Sequence, residues 1–324
     1  MKISILGCGS IGTRHAKNLL ELGYSVNYIF DPIRNNSEIL SKKIGGEIID
    51  NQEECILLSD IVFICTPPNT HTELLKFSID NGKHIFCEKP ISNSRNNLVN
   101  ILKKADKNNL KIVVGYMLKF HPGLKTIKNM IDSGKIGNIL GGQVNFGYFL
   151  PYWRSNYDYK KNYFGKSSEG GGIILELSHE LDYVRWIFGE IKSVNAVSAH
   201  ISDLEIETDD YAEIILETNK KNIINIHLDC LEQNYRRNCH IIGTKGSIEW
   251  DFNGKIKIVT PKNTEEINTN FEINDLYLEE LQSFLSQIDS PQINVNNGWE
   301  ALKTLDLAIA AINSSKSGKK VILD

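Results

Sequence analysis

The first third of the chain alternates short apolar runs with longer segments in which apolar residues recur at helical spacing. The run IVFIC at 61–65 is apolar throughout, as expected for a parallel strand that is buried on both faces. The pattern predicts strands at 2–6, 24–30, 61–65, 84–87 and 111–115, and helices at 11–22, 70–81 and 94–108. Because strands alternate with helices, we expect an α/β fold built on a doubly wound parallel sheet.

After about residue 120 several strand-like runs follow one another with only turn signals between them. The segments 219–220 and 244–246 have the residue types of hairpin turns. Predicted strands lie at 193–201, 212–218, 223–228, 240–242 and 320–323, and helices at about 122–133, 173–188, 274–289 and 297–314. This order favours an α+β domain with a large, open, mainly antiparallel sheet. We therefore predict two domains, residues 1–120 and 121–324, with the last helix able to pack back on the first.

Composition narrows the class of protein. With 41% hydrophobic and 23% charged residues the chain is typical of globular proteins, and its formal net charge of -4 argues against a nucleic-acid partner. No apolar run approaches the roughly 18 residues that span a bilayer. The start MKISILGCGSIG predicts a strand rather than a signal peptide. Since none of the six cysteines forms a CxxC pair, we expect reduced thiols, no metal site and a cytoplasmic location.

The turn GCGSIG has the spacing GxGxxG directly after the first predicted strand. The first glycine permits a tight turn, the second lets a pyrophosphate approach the backbone, and the third lets the helix pack closely on the strand. The helix N-terminus also favours an anion. The turn therefore predicts a dinucleotide-binding domain of the Rossmann type, with cofactor contacts from Gly7, Gly9, Ser10, Ile11 and Gly12. The alternative is a glycine-rich turn that binds nothing.

An acid at the end of the second predicted strand indicates which dinucleotide is bound. Asp31 lies 19 residues after Gly12, where a carboxylate accepts hydrogen bonds from a ribose diol and repels a 2'-phosphate. We therefore expect NAD, with NADP less favoured. Arg34 is a further predicted cofactor contact, and its charge could offset that repulsion.

Two further loops follow predicted strands at the edge of the sheet where ligands bind. The segment TPPNTH at 66–71 supplies the predicted cofactor contacts Thr66, Pro67, Asn69 and His71. Alternatively, Asn69 or Thr70 caps the next helix. In CEKP at 87–90 the proline holds Lys89 extended and makes a cis bond possible. Lys89 could then donate to a substrate hydroxyl and stabilise an alkoxide, whereas an ordinary strand-end lysine is only solvated.

The stretch GGGIILELSHELDYVRW at 170–186 predicts a helix with two unlike faces. Its apolar arc contains Ile173, Ile174, Leu177, Leu181, Val184, Ile187 and Phe188. The opposite arc contains Glu176, His179, Asp182, Tyr183 and Trp186. Titratable groups beside aromatic rings indicate the wall of a cleft, although a solvated face remains the alternative. Glu180 falls at the edge of the apolar arc, which indicates a buried pair or an interface, and the preceding glycines permit close approach of a ligand or the other domain.

The segment 148–166 contains eight aromatic residues, four cations and one acid. Aromatic rings stack on sugars or bases, and cations bind phosphate or carboxylate. We therefore expect an anionic or nucleotide-linked sugar, with Trp153, Arg154 and Tyr163 among the contacts. The alternative is a subunit interface, where aromatics and arginine are also enriched.

Taken together and in this order, several motifs resemble the glucose–fructose oxidoreductase / inositol dehydrogenase / MocA family, over essentially the whole chain. They are GCGSIGTRHAKNL, CTPPNTH, CEKP, VVGYMLKFHPGLKTIK and GGGIILELSHELDYVRWIFG. The resemblance implies a Rossmann domain, a second domain that binds substrate and oligomerises, and NAD(P)-dependent redox at a sugar or cyclitol carbinol. It further implies that Lys89 and His179 are catalytic and that Glu88 lies near the nicotinamide.

The chain departs from the family pattern at three positions, and one of them is Met117, where relatives in the branch tend to have asparagine. The pattern places an acid four residues before the histidine, where this chain has Leu175 with Glu176 next to it. Glu176 could replace that acid, because both spacings share a helix face. Relatives in the branch tend to have arginine where this chain has Lys119, which keeps a cation but not the planar fork that grips anions. Lys119 and Asp182 are predicted substrate contacts.

The resulting hypothesis is hydride transfer between nicotinamide and a sugar, cyclitol or nucleotide-linked sugar. His179 exchanges the proton, Lys89 polarises the oxygen and Asp182 fixes a neighbouring hydroxyl. Part of the sequence is similar to a branch linked to bacterial surface-polysaccharide sugars. The alternatives are an NAD-dependent glycosidase that works by transient oxidation and a sensor without catalysis. We also expect a homodimer or homotetramer, because the open sheet face needs a cover.

Overall fold

The computed structural model describes residues 1–153, 158–288 and 295–323. Within these residues the chain forms two compact units. The first unit contains residues 1–117 and 273–303, and the second contains residues 118–272 and 304–324. Each unit is built around its own sheet.

The first unit contains a six-stranded parallel sheet with the order β3-β2-β1-β4-β5-β6. Its strands are β1 (Ile3–Leu6), β2 (Val26–Phe30), β3 (Glu47–Ile48), β4 (Ile61–Ile64), β5 (His84–Cys87) and β6 (Ile112–Val114). Its first helices are α1 (Ser10–Glu21), α2 (Arg34–Ile44), α3 (Gln52–Leu57), α4 (His71–Asp80) and α5 (Leu98–Lys107). The predicted doubly wound α/β fold is confirmed, and the short strand β3 was not predicted.

The central strands are buried on both faces, which explains their continuous apolar sequences. All four residues of β1 and of β4 are buried. Phe63 stacks on Phe86 of the neighbouring strand, with ring centroids 5.1 Å apart. The carboxyl ends of these parallel strands therefore lie along one edge of a rigid sheet.

The second unit contains a nine-stranded mixed sheet with the order β14-β13-β12-β11-β7-β10-β9-β8-β15. The strands are β7 (Ile139–Gly147), β8 (Ile191–Ala199), β9 (Tyr211–Thr218), β10 (Ile223–Asp229), β11 (Arg236–Gly243), β12 (Gly246–Asp251), β13 (Lys255–Val259), β14 (Thr264–Asn268) and β15 (Val321–Ile322). The pair β7–β10 is parallel and the other pairs are antiparallel. The predicted mainly antiparallel sheet is confirmed, as are both hairpin turns.

Three helices of this unit are α6 (Pro122–Asp132), α7 (Ile173–Glu176) and α8 (Ser178–Phe188). The prediction of one continuous helix over 173–188 was wrong. The helix breaks at Leu177, whose backbone angles are φ -94° and ψ 27°. Because the apolar residues on both sides of the break are buried, hydrophobic periodicity alone could not reveal it.

The last helices are α9 (Ile273–Leu285) and α10 (Gly298–Ser317). α9 packs on α1, and its residues Leu281, Phe284 and Leu285 join the apolar core beneath β1 and β4. Residues 273–303 thus belong to the first unit, which differs from the two-part division expected from chain order. The physical reason is apolar packing, since the ring of Phe284 in α9 lies against those of Phe63 in β4 and Phe86 in β5.

A buried ion pair connects α8 to the sheet of the second unit. Arg237 of β11 donates to the carboxylate of Glu180, with Nε and Oε1 2.7 Å apart. Both side chains are buried, and the guanidinium lies 4.6 Å from the ring centroid of Phe146. Of the two alternatives that the sequence left open for Glu180, a buried pair or an interface, the structure shows the buried pair.

Loss of one partner from this pair should strongly destabilise the second unit. In Arg237→Met the carboxylate of Glu180 stays buried without its cation, so we expect a loss of about 3 to 5 kcal/mol in the free energy of unfolding. The loss in free energy is measured by denaturant unfolding of the parent and the variant, with hydrogen exchange of the β11 amides as the local probe.

The matched control is Lys135→Ala, which removes the exposed pair with Glu265 and should change the free energy of unfolding far less, because solvent screens that pair. The double variant Glu180→Leu/Arg237→Met should recover much of the loss, because no uncompensated charge is then buried. Equal losses for the buried and exposed single variants would contradict the argument.

Candidate active site

The turn after β1 is shaped by two glycines that leave no room for a side chain. Gly7 has φ +91°, and a Cβ there would lie 2.6 Å from the carbonyl oxygen of Cys65. A Cβ on Gly12 would lie 2.0 Å from the carbonyl oxygen of Gly7. These two positions therefore fix the close packing of α1 against β1 and β4.

Gly9 is different, because a Cβ there would meet nothing within 4 Å. Gly9 is the N-cap of α1, and as a glycine it has no side chain with which to cap the first amides of the helix. Ser10 is exposed and Ile11 is half-buried at this start. An open turn at a helix N-terminus fits a dinucleotide pyrophosphate, which the backbone amides would hold.

Asp31 follows β2 at the same edge of the sheet. Its carboxylate accepts from the backbone N–H of Cys8 and of Ile33, each at 2.8 Å, and from the side-chain amide of Asn36 at 3.1 Å. The bond to Cys8 ties Asp31 directly to the glycine turn. A carboxylate has about four acceptor positions, so these bonds orient Asp31 and leave capacity for a ribose hydroxyl.

Arg34, the first residue of α2, is exposed and paired with two acids. It donates to Asp50 and lies 3.4 Å from Glu38. Two carboxylates beside the guanidinium reduce the positive charge that it could offer to a 2'-phosphate.

The loop after β4 is fixed by hydrogen bonds to a buried histidine, His71. His71 is fully buried, with Nε2 2.8 Å from the carbonyl oxygen of Thr66 and Nδ1 2.9 Å from that of Pro90. Burial lowers the pKa of His71, against the opposing effect of these carbonyls. His71 was predicted to contact the cofactor. In the structure both of its ring nitrogens instead lie within hydrogen-bond distance of backbone carbonyl oxygens of the loops. It links the loops after β4 and β5.

The predicted contacts Thr66, Pro67 and Asn69 lie on the surface side of this loop, where Asn69 is exposed and the other two are half-buried. Thr66 and Thr70 share a hydrogen bond at 2.6 Å between their hydroxyls. Thr70 is the N-cap of α4 but makes no side-chain capping bond. Thr70 does not cap α4 through its side chain, contrary to one alternative considered from the sequence.

The loop after β5 brings Glu88 and Lys89 to the same edge as the glycine turn. The Lys89–Pro90 peptide bond is cis. Lys89 is half-buried, and its backbone N–H donates to Glu88 Oε2 at 3.2 Å. Glu88 Oε1 lies 2.6 Å from Nε2 of His15, a residue that the sequence reasoning missed. The signal was present, because His15 is a histidine on the buried face of α1.

In the second unit, α8 is buried almost all round. His179 and Trp186 are partly exposed, whereas its other residues are buried. Tyr183 was expected on the exposed arc but is fully buried, with its ring centroid 6.1 Å from that of Trp250. The correction follows from the sheet, which covers more of the helix than one apolar stripe. His179 is therefore the ionisable residue of α8 with an accessible side.

Glu176 ends α7 and is half-buried. The hydroxyl of Tyr163 donates to its carboxylate, so two predicted site residues are in direct contact. Tyr163 belongs to residues 148–166, the aromatic segment, and the contact ties that segment to the end of α7.

Lys119 and Asp182 form a buried ion pair, with Nζ and Oδ1 2.9 Å apart. Thr304 also donates to Oδ1 of Asp182 at 3.0 Å. Burial raises the pKa of Asp182, although the ammonium of Lys119 opposes the shift. Both residues were predicted to bind substrate directly. The structure instead places them in the interior of the second unit, where they bind each other.

The described part of the aromatic segment is packed on its own unit. Trp153 donates from Nε1 to the carbonyl oxygen of Tyr148 at 2.7 Å, and its ring meets that of Phe164. Arg154, another predicted contact, lies outside the described residues. A Cβ on Gly171 would lie 2.1 Å from the carbonyl oxygen of Phe164. This glycine thus permits close approach of the aromatic segment itself.

Within residues 1–153, 158–288 and 295–323, no group of acidic, histidine or cysteine side chains is arranged to hold a metal ion. Across the same residues no helix is both long enough and apolar enough to cross a bilayer.

Two family models match the chain, one for each unit. The model of the oxidoreductase family with an NAD-binding Rossmann fold matches residues 1–116, and that of the GFO/IDH/MocA C-terminal domain matches residues 124–249. The chain belongs to the GFO/IDH/MocA oxidoreductase family. The resemblance inferred from the motifs is therefore confirmed, and so is the expectation of NAD as the dinucleotide of the first unit.

Curated relatives align over nearly their whole length. The scyllo-inositol 2-dehydrogenase (NAD(+)) of Bacillus subtilis is 27% identical and covers 100% of this chain and 96% of its own. The myo-inositol 2-dehydrogenase of Thermotoga maritima is 25% identical, with coverage of 100% and 99%. Among solved structures, levoglucosan dehydrogenase in complex with NADH and levoglucosan has a TM-score of 0.90 at 17% identity, covering 100% of this chain and 99% of its own. That structure shows the shared fold.

Two glycine variants should separate cofactor binding from folding. Gly9→Ala adds a methyl group in open space, so we expect unchanged stability but at least tenfold weaker NAD binding, since the methyl occupies the pyrophosphate approach. In Gly12→Ala the added methyl group collides with the carbonyl oxygen of Gly7, so we expect the free energy of unfolding to fall by about 1 to 3 kcal/mol. Thermal unfolding without cofactor and calorimetric titration with NAD measure both. Unchanged NAD affinity in Gly9→Ala would show that the turn does not hold the cofactor.

Proposed function

We propose that this protein is an NAD-dependent dehydrogenase of a cyclitol or sugar, acting at a carbinol or ketone carbon. The observation that carries the proposal is that one edge of the parallel sheet bears both the open glycine turn after β1 and Lys89 after β5. Ligands of doubly wound sheets bind at this edge. The inositol 2-dehydrogenases among the relatives support the substrate class.

In the proposed reaction, Lys89 donates a hydrogen bond to the reacting oxygen of the polyol and stabilises its negative charge as the proton leaves. The loop bonds of His71 and Glu88 fix the segment that carries this lysine. When bound, NAD supplies the carbon that accepts or returns the hydride. Asp31 binds the adenosine ribose and gives the preference for NAD over NADP.

His179 is proposed to exchange the proton of the reacting hydroxyl. An imidazole ordinarily titrates near neutral pH, so it can accept a proton in oxidation and return it in reduction. Its partly exposed place on an otherwise buried helix supports this role. Glu176, held by Tyr163, is proposed to bind a hydroxyl of the substrate in place of the usual family acid.

Lys119 and Asp182 are proposed to act by positioning rather than by contact. Their buried pair ties α8 to the segment before α6, one helical turn from His179. Thr304 and Arg185 extend this network, since Arg185 donates to the Thr304 hydroxyl at 3.0 Å. The orientation of His179 would therefore depend on a pair that never meets the substrate.

A nucleotide-linked sugar, as in surface-polysaccharide metabolism, is the second candidate substrate. Tyr152 is 53% exposed, so its ring is available to stack on a base. Two cations of residues 148–166 are already paired with acids, Lys160 with Glu205 and Lys166 with Glu169. This pairing argues against an anionic ligand. The unlinked polyol is therefore the first choice.

We also propose that the nine-stranded sheet mediates a homodimer or homotetramer. Val197, Ile215 and Ile223 are large apolar side chains that stay exposed on strands of this sheet. Such side chains on neighbouring strands favour burial against a second copy.

The function is tested by following the absorbance of reduced cofactor with inositols, free sugars and nucleotide sugars. Lys89→Met and His179→Gln should lower turnover about 10²- to 10⁴-fold while NAD affinity changes little, because each removes a group used at the reacting oxygen. Full turnover in either variant would refute its role.

Matched controls are Lys83→Met, just before the opposite end of β5, and His200→Gln in the second unit, both of which should keep parental turnover. Release of sugar from glycosides without net reduction of NAD would instead indicate the redox glycosidase. Ligand binding without turnover of any polyol would indicate a sensor.

A further inference from the structure

The first unit contains a buried histidine–carboxylate pair to which the proposed reaction gives no role. His15 of α1 and Glu88 after β5 meet with Nε2 and Oε1 2.6 Å apart. His15 is fully buried and the side chain of Glu88 is 11% exposed. A buried charge needs a partner, so the contact decides whether Glu88 can stay ionised.

The surroundings of His15 are aromatic. Its ring centroid lies 4.9 Å from that of Phe86, 5.9 Å from that of Phe63 and 6.0 Å from that of Tyr277. Nδ1 is buried and has no hydrogen-bond partner among the described residues. Nε2 is thus the nitrogen that the pair uses, and it donates to the carboxylate.

The carboxylate of Glu88 is fixed from two further sides. The backbone N–H of Lys89 donates to Oε2 at 3.2 Å. A Cβ on Gly115 would lie 3.1 Å from Oε1, so the glycine backbone closes directly on the carboxylate. The position of Glu88 is therefore coupled to the backbone of the lysine proposed to be catalytic.

The charge of Glu88 reflects competing effects. Burial raises the pKa of its carboxyl, but the hydrogen bond from His15, the charge of Lys89 and the hydrogen bond from the Lys89 backbone lower it, and the net shift is downward. The other ionisable groups near the pair are Cys65, His71, Cys87, Lys89 and Tyr277. The pKa values of Cys65 and Cys87 are raised well above their ordinary value and that of His71 is lowered, so these three stay uncharged near neutral pH.

We propose that His15 is a positioning residue that keeps Glu88 ionised beside Lys89, so that the strand end offers a fixed negative charge to the nicotinamide. The proposal rests on the proposed function, because it assumes that the nicotinamide binds at the edge that carries Lys89. The oxidised nicotinamide ring is cationic and the reduced ring is neutral. A fixed carboxylate therefore strengthens binding of NAD⁺ relative to NADH.

Two substitutions remove the two halves of the pair. His15→Phe keeps an aromatic ring in the aromatic pocket but removes the donor, and Glu88→Gln keeps the shape but removes the charge. In Glu88→Gln we expect the ratio of NAD⁺ affinity to NADH affinity to fall roughly tenfold at every pH. In His15→Phe the buried carboxyl loses its partner and protonates more readily, so the ratio should fall as the pH is lowered from mildly alkaline to mildly acidic.

The measurement is calorimetric titration of the full-length protein with NAD⁺ and with NADH across that pH range, and it needs no substrate. The double variant His15→Phe/Glu88→Gln should lose the pH dependence, because no carboxyl remains to titrate. The control is His121→Phe, which removes another fully buried histidine, one whose ring nitrogens pair with the backbone of Gly123 and Phe252. It should lower thermal stability without changing the affinity ratio.

A purely structural role for His15 would lower thermal stability and leave the affinity ratio and its pH dependence unchanged, and this result would overturn the proposal. If His15→Phe does not fold, a parental affinity ratio in Glu88→Gln overturns it equally. If the variants show the expected change in the ratio of NAD⁺ to NADH affinity but the parent oxidises no polyol, that result counts against the proposed substrate and not against the role of His15. Failure of the parent to bind NAD would overturn both proposals.

Discussion

The close approach of two backbone segments at the start of α1 is the constraint on which the first unit depends. The carbonyl of Gly7 and the Cα of Gly12 are so near that even a methyl group has no room. This contact holds α1 against the sheet, and the helix begins directly after β1 at Ser10. The shape of the glycine turn is therefore a consequence of backbone packing, and Gly9 is the position of the turn at which an added Cβ would meet nothing within 4 Å.

A second constraint comes from three buried ion pairs, each of which fixes the relative position of the two elements that it joins. His15–Glu88 joins α1 to the loop after β5, Lys119–Asp182 joins α8 to the segment before α6, and Arg237–Glu180 joins α8 to β11. Such pairs contribute little net stability compared with apolar packing, but each fixes the register of two elements because half a pair is strongly unfavourable. In both units they hold elements that carry proposed catalytic residues.

The sequence predicted the sheets well and the individual side chains less well. Apolar runs and glycine spacing report local conformation, so the parallel sheet, the glycine turn and the hairpins could be read directly. Asp182 and Tyr183 were misplaced because a helical wheel assumes one covered face, whereas α8 is covered on nearly all sides. The position of His15 on the buried face of α1 indicates a buried histidine, but no local pattern pairs it with Glu88, 73 residues away. Chain order likewise gave no reason to place α9 beside α1.

The break at Leu177 changes how the displaced family acid should be understood. On a continuous helix Glu176 would share a face with His179 by spacing alone. Because α7 ends at Glu176 and α8 begins at Ser178, that spacing does not set their relative orientation. Leu175, at the position of the usual acid, is buried, and the carboxylate of Glu176 is held by the hydroxyl of Tyr163. The direction of this acid is thus set by the aromatic segment, so any ligand that rearranges Tyr163 also changes where the carboxylate points.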